Sequence, residues 1–427
     1  MGKTIAEKLL ARSAGLAQVK AGDIITARVD CAMMDDILGP RVVIAEQLEK
    51  LQAEIWDRER VVVICDHYSP AATIQQADIV AFTRRWAKAQ GIRNYVEGQG
   101  PCHQILAEKG FFRPGSLVVG TDSHTCTGGA FGCFSTGIGS TEMLGVLVTG
   151  EIWLRVPESL SFDFHGVLQP GVMAKDMILR VIGDIGHGGA TYMAMEFSGE
   201  TIRALPMDER MCISNMAVEA GAKAGLIAAD EKTAAYLAAH GCDSGFTPII
   251  SDVDAVYRQC YQYDVATLEP LVAAPHHVDQ VYPARELAGT HIDSAYIGSC
   301  TGGRLSDLQA AAEILRGRRV AAGCRLLVSP ASQTIWRQAA ASGLLSVLAD
   351  AGATILAPSC GACLGVHSGL LAAGESGIST TNRNFRGRMG SPESKVYLAS
   401  PATVAAAAVA GKIVDCREFC RESGGGR

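Results

Sequence analysis

Residues 293–304, DSAYIGSCTGGR, and residues 353–365, ATILAPSCGACLG, follow one pattern. In each, a short apolar run leads into a glycine-rich turn that carries cysteine. Cys300 lies in the first turn, Cys360 and Cys363 in the second. Short apolar runs closed by turn residues read as buried strands of a parallel sheet. In such sheets, ligands bind beyond the carboxyl ends of the strands. The pattern recurs upstream, where RVVVIC (60–65) runs into Asp66-His67 and SLVVG (116–120) runs through Thr121 into Asp122-Ser123-His124. Four strand ends carrying reactive side chains predict a cleft assembled from several loops.

Working outward, AATIQQADIVAFTRRWAKAQG (71–91) and QILAEKG (104–110) read as helices, so strand and helix alternate up to about Arg155. SLSFDFHG (159–166) alternates in strand fashion, and helices flank the strand ATYMAMEF (190–197). Residues 231–286 are rich in turn formers and read as the tail of a middle domain and a linker. From His291 the alternation resumes with strands SAYIG, RLLVSP and ATILAP and the helix SDLQAAAEILRG. SPATVAAAAVAGKI (400–413) closes as a helix with Ser400 as N-cap and Pro401 in its first turn. The final ESGGGR reads as disordered. The expected architecture is three α/β domains, 1–155, 156–286 with the linker, and 287–427, the outer two with mostly parallel sheets.

Composition narrows the function. The chain has 427 residues and a net charge of −6, with no basic tract of nucleic-acid type. No apolar run is long enough to span a membrane. The N-terminus lacks a signal sequence. It reads as a helix with a Thr4/Glu7 capping box and Gly15 as its stop. Fourteen cysteines at irregular spacing, without a signal, point to a reducing cytosol. Cys31, Cys65, Cys212, Cys242, Cys260 and Cys324 are expected to be small buried apolar side chains.

The spacing of the three strand-end cysteines leaves several readings. A zinc ribbon would need four ligands, and no second CxxC exists. A thioredoxin-type CxxC would open a helix near the N-terminus, not deep in the chain between glycines. Buried thiols in a glycine-rich turn and an iron–sulfur site both remain.

Taken together in their order, ICDH (64–67), GTDSHTCTGG (120–129), GSCTGGR (298–304), APSCGACLG (357–365) and STTNRNFRGRMG (379–390) resemble the aconitase family. They are most similar to its two-subunit branch, the 3-isopropylmalate dehydratase and homoaconitase large subunits. The likeness runs from the first helix to the last. It implies an aconitase-like fold of three α/β domains around a central cleft, without the swivel domain. It implies one [4Fe–4S] cluster on Cys300, Cys360 and Cys363, with one iron free of protein ligands and open to a substrate hydroxyl and carboxylate. By resemblance, Asp66 and His67 form an acid pair that protonates the departing hydroxyl. Asp122 and His124, with His103 in GPCHQ, belong to the hydrogen-bond network around cluster and substrate, and Ser123 lies among the substrate contacts. Asn215 and Glu219 in SNMAVEAGAKAG are spaced i, i+4 on one expected helix face. By resemblance both reach the active site, with Glu219 near the reacting hydroxyl. Arg383 and Arg388 suit substrate carboxylates, since guanidinium groups bind them in bidentate fashion.

The likeness also implies something lacking. Aconitases take the proton from carbon with a serine of the swivel domain, which in two-subunit members is a small separate protein. The expectation is therefore an inactive chain that needs a small swivel-domain subunit. The leading reaction is dehydration or isomerisation of 3-isopropylmalate. Homocitrate or homoaconitate, methylmalate and dimethylmalate are further substrates, and a cluster-sensing RNA-binding regulator is an alternative of another class. Two positions depart from the family pattern. Gly302 stands where Asn is usual, which puts an amide near the cluster in doubt. Asp35 stands where His or Gln is usual, and its carboxylate would repel an anionic substrate unless hydrogen-bonded or turned away.

Overall fold

The computed structural model describes residues 2–420, so the tail expected to be disordered lies outside the described residues. Its contacts form two compact units. The first holds the chain as far as His165, then Gly188–Tyr263 and Ser359–Gly361. The second holds Gly166–His187, Asp264–Pro358 and the chain from Ala362 onward.

A five-stranded parallel sheet organises the first unit. Its order is Asn94–Glu97, Val61–Cys65, Cys31–Asp35, Leu117–Gly120, Phe134–Gly137. Counted along the chain, that is 3-2-1-4-5, so strand order reverses between Cys31–Asp35 and Leu117–Gly120. Every residue of Cys31–Asp35, Val61–Cys65 and Leu117–Gly120 is buried. For Val61–Cys65 and Leu117–Gly120 this is what the unbroken apolar runs predict, whereas Cys31–Asp35 is a strand that the sequence reading does not include; each aliphatic side chain so buried contributes roughly 1.5–3 kcal/mol. The first helix, Ile5–Ala14, has the expected Thr4/Glu7 capping box and ends at Gly15 with φ 66°. Helix Ile74–Ala89 starts on Thr73, whose Oγ1 accepts from the Gln76 amide.

The first unit has two further sheets. Ala224–Leu226, Ala194–Ser198, Ser159–His165 and Gln259–Asp264 form a four-stranded sheet. Ile24–Arg28 pairs antiparallel with Glu151–Arg155. The expected strand 190–197 is shorter than predicted, because Tyr192 takes a left-handed φ of 59° and the strand begins only at Ala194.

The second unit is built on seven strands, in the order Val281–Pro283, Leu271–Ala273, Lys395–Ala399, Ser376–Ser379, Ser294–Ile297, Arg325–Val328, Ala353–Ile355. The last five are parallel and the first two join antiparallel. Here too the order reverses, between Ser294–Ile297 and Ser376–Ser379. The expectation of a linker over 231–286 needs correction. That stretch contains helix Glu231–Ala239 and strands Gln259–Asp264, Leu271–Ala273 and Val281–Pro283. Two of these strands have only three residues: Val281–Pro283 pairs with Leu271–Ala273, which is held on its other side by a partner distant in sequence, Val272 opposite Ala399. Helix Pro401–Ala410 forms as expected, but the Ser400 hydroxyl meets Thr403 Oγ1 at 3.1 Å and caps no backbone N–H.

Candidate active site

Polar side chains of the first unit gather at its strand-order reversal, the switch point where open α/β sheets bind ligands. Cys31–Asp35 delivers Asp35 and Asp36, Val61–Cys65 delivers Asp66 and His67, and Leu117–Gly120 delivers Asp122. His67 is almost fully buried, and its Nδ1 lies 2.9 Å from Asp66 Oδ1 and 3.2 Å from Asp36 Oδ1. The Asp66 approach is an ion-pair contact whose geometry makes no hydrogen bond, and Oδ1 has no other hydrogen-bond partner among the described residues. The Asp36 contact is the hydrogen bond. Asp36 also accepts from the His67 and Tyr68 amides, at 3.2 and 2.9 Å. Asp66 Oδ2 accepts from the Cys102 amide at 2.6 Å. Burial alone would push the imidazole toward its neutral form, but the Asp66 and Asp36 carboxylates outweigh it and hold the His67 pKa well above the usual value.

Asp122 is a hub. Its carboxylate lies 3.8 Å from His67 Nε2, 3.5 Å from His103 Nε2 and 3.4 Å from His124 Nδ1. It also accepts from the His124 amide at 2.7 Å. Burial raises its pKa, yet the His124 hydrogen bond and the three histidines prevail and hold it well below the carboxylate range. Ser123 follows half-buried, as the first residue of the 3-10 turn Ser123–Phe131.

His124 turns its other nitrogen to Glu219, with Nε2 2.8 Å from Oε1 and both side chains buried. Asn215, fully buried, donates from Nδ2 to Thr127 Oγ1 at 2.7 Å. The two do not share a helix face as the i, i+4 spacing predicts. The α-helix stops at Met216 and Glu219 lies in the 3-10 turn Ala217–Ala220, ended by Gly221 at φ 86°. Cys360 belongs to this unit, its amide donating to the Asp66 carbonyl at 3.0 Å. Ligand atoms of Asp66, His67 and Cys360 lie within 4.8 Å of one another.

The Asp35 departure is resolved by its partners. Oδ1 accepts from the Ile37 and Leu38 amides at 2.7 and 2.6 Å, and Oδ2 accepts from Thr121 Oγ1 at 2.7 Å. The carboxylate serves a turn, and burial raises its pKa to about 6. Sequence reasoning missed Asp36. The available signal was the pair Asp35-Asp36 at a strand end, where adjacent side chains point to opposite faces.

The second unit presents Cys300 and Cys363, both buried, and Arg383 and Arg388. Cys300 follows strand Ser294–Ile297, and Asn382 and Arg383 follow Ser376–Ser379, so both flank that sheet's switch point. The Cys363 thiol lies 3.5 Å from Asn382 Oδ1, and Asn382 Nδ2 lies 4.0 Å from Cys300 Sγ. Arg388 Nη2 lies 3.7 Å from Cys363 Sγ, while its buried Nε has no hydrogen-bond partner among the described residues. Arg383 is half-buried in the same loop. A side chain at Gly302 is sterically blocked, because a Cβ there would stand 2.3 Å from Thr380 Cβ. The buried reading of the remaining cysteines holds for Cys31, Cys65 and Cys212. Cys242 and Cys324 are half-buried, and Cys260 is exposed on the outer strand Gln259–Asp264. Cys126 is a buried thiol donating to the Asn215 carbonyl at 3.2 Å. No described helix is long and apolar enough to cross a membrane.

Comparison with known proteins agrees with this chemistry. The model of the aconitase family (aconitate hydratase) matches residues 7–290 and 283–411. The 3-isopropylmalate dehydratase large subunit 1 of Methanopyrus kandleri is 48% identical over 98% of this chain and 100% of its own length. The 3-isopropylmalate dehydratase large subunit of a Sulfurihydrogenibium species is 49% identical over 99% and 98%. The probable methanogen homoaconitase large subunit of Methanothermobacter thermautotrophicus is 48% identical over 95% and 96%. Among solved structures, holo aconitase X of Thermococcus kodakaraensis has the same fold, with a TM-score of 0.51 at 12% identity over 87% of this chain and 88% of that one.

Fold and relatives define the class, a carbon–oxygen hydro-lyase built on α/β sheets. The chain belongs to the aconitase family. The family implies a [4Fe–4S] cluster, and cysteine thiols are the donors such a cluster takes. Cys300, Cys360 and Cys363 form no disulfide, and in the second unit the Asn382 amide lies beside the Cys300 and Cys363 thiols and the Arg388 guanidinium beside Cys363.

Proposed function

We propose that this chain is the cluster-bearing large subunit of a 3-isopropylmalate dehydratase. The observation that carries the reading is His67, buried between two carboxylates and beside Cys360. Cys300, Cys360 and Cys363 would hold the cluster, leaving one iron without a protein ligand. When bound, the cluster supplies a Lewis acid that stabilises negative charge on the leaving oxygen. The chain's own residues do the rest. His67, kept protonated by Asp66 and Asp36, delivers a proton to the departing oxygen. Asp122 orients His67, His103 and His124, and Glu219 with His124 holds the hydroxyl or the water that replaces it. Asn215, Ser123, Arg383 and Arg388 position the substrate, the two guanidinium groups against its carboxylates.

The base that takes the proton from carbon is proposed to come from a partner. The large-subunit names of the relatives imply a small subunit, and we assign it to the swivel-domain, LeuD-like type. We further read the three principal sheets as three modules bounded near residues 155 and 286, and place the protein in the cytoplasm. Homoaconitase activity is the second reading, favoured by the homoaconitase large subunit among the relatives.

The test is anaerobic purification with a swivel-domain partner, followed by iron and labile-sulfide analysis and assay on 3-isopropylmalate and homoaconitate. The expected result is iron with sulfide, turnover of 3-isopropylmalate, and none by the chain alone. Zinc without sulfide would refute the cluster, and preference for homoaconitate would move the assignment to the second reading.

A further inference from the structure

We infer that Lys175 is a positioning residue for the cysteines of the second unit, an inference that rests on the cluster reading above. Lys175 is 2% exposed and lies in the first turn of helix Ala174–Ile185. Both placements are unfavourable. A buried ammonium loses its hydration, and a cation at a helix N-terminus opposes the macrodipole. Its contacts identify what offsets these costs. Nζ donates to the Thr381 carbonyl at 2.6 Å and the Thr380 carbonyl at 3.1 Å.

Those carbonyls precede Asn382, the residue whose amide lies beside both Cys300 and Cys363. The Thr380 carbonyl also accepts from Thr301 Oγ1 at 2.8 Å, and Thr301 adjoins Cys300. The Thr380 hydroxyl is tied in turn to the Gly298 amide and carbonyl, both at 2.9 Å. The strand end 379–382 and the cysteine turn 298–302 are thereby stitched together, with the lysine as the charged clasp. Through this clasp, Lys175 holds the Asn382 amide and the Cys300 turn in register. Hydrogen bonds from a charged donor are the stronger kind, which suits a clasp that must hold a short loop.

The test compares cluster-loaded, anaerobically purified full chains carrying Lys175→Met, Lys175→Arg and Thr301→Val with wild type. The readouts are iron and sulfide per chain, the rate of iron release to a chelator, the electron paramagnetic resonance signature, and the melting temperature of the cluster-free chain. Met is expected to speed iron release about tenfold or more, the range typical for groups that orient metal ligands. It should also alter the resonance signature, with Arg recovering part of the loss and Val shifting release the same way by less. A lowered melting temperature with wild-type release and signature would reduce Lys175 to a structural role and overturn the inference. If Lys175→Met fails to fold, Thr301→Val decides, and unchanged release there overturns it as well. Wild type lacking iron and sulfide would remove the cluster reading itself, whereas a loaded wild type with indifferent variants removes only the inference about Lys175.

Discussion

At the scale of residues, the acid strength of His67 is a balance between burial and two carboxylates. Removing one carboxylate removes stabilisation of the imidazolium, so its pKa must fall. Asp36→Asn should move the alkaline limb of kcat/KM to lower pH, measured on the complex with its small subunit. His67→Gln should lower turnover by about 10²–10⁴-fold, the usual worth of a positioned general acid. Asp35 gives a second prediction. Its folded pKa is raised to about 6, so the native state holds the proton more tightly than the unfolded chain. Its contribution to stability is present below the ordinary carboxyl pKa and is lost as pH rises through about 6. Asp35→Asn should therefore gain on wild type by about 2–3 kcal/mol between pH 4 and pH 8, read from denaturant unfolding at both. The Asp66-His67 pair was legible because the two residues adjoin at the end of an apolar run. Asp36 was not, because its bond to His67 spans 31 positions and the local pair Asp35-Asp36 does not tell which carboxylate meets the histidine.

At the scale of elements, two strand-order reversals explain why the polar turns cluster as they do. The short apolar runs made the strands readable, but their order in the sheet depends on pairings that the runs do not encode. The i, i+4 expectation for Asn215 and Glu219 failed because helical spacing was extended past Met216, where the turn tightens. Gly302 shows the opposite case, a departure that packing accounts for. Gly302→Ala would drive a methyl into Thr380 and should cost about 1–3 kcal/mol, seen as a lower melting temperature of the cluster-free chain. Strand Gln259–Asp264 holds to its sheet by aromatic stacking, Tyr261 on Phe162 and Tyr263 on Phe164 at centroid distances of 5.0 and 4.9 Å. Cys260 alternates with these rings and faces outward. Brief alkylation of the native chain, mapped by mass spectrometry, should label Cys260 first and spare Cys31 and Cys65, whose burial raises their pKa values.

At the scale of the whole molecule, the second unit is discontinuous in sequence. Helix Ala174–Ile185 belongs to it, and the Leu271 amide donates to Asp176 Oδ1 at 2.8 Å. A fragment of residues 287–427 would lack that helix and both antiparallel edge strands. It should show no cooperative thermal transition by circular dichroism, whereas the full chain should. The interleaving also constrains biosynthesis. The segment Gly166–His187 leaves the ribosome well before Asp264, and Gly188–Tyr263, which belongs to the first unit, is made in between. Domains of large chains generally fold as units, N-terminal first during synthesis. This nascent chain can complete its first sheet early, but the apolar face of the 174–185 helix must wait for strands not yet translated. That interval of exposed surface is when a chaperone would be needed most.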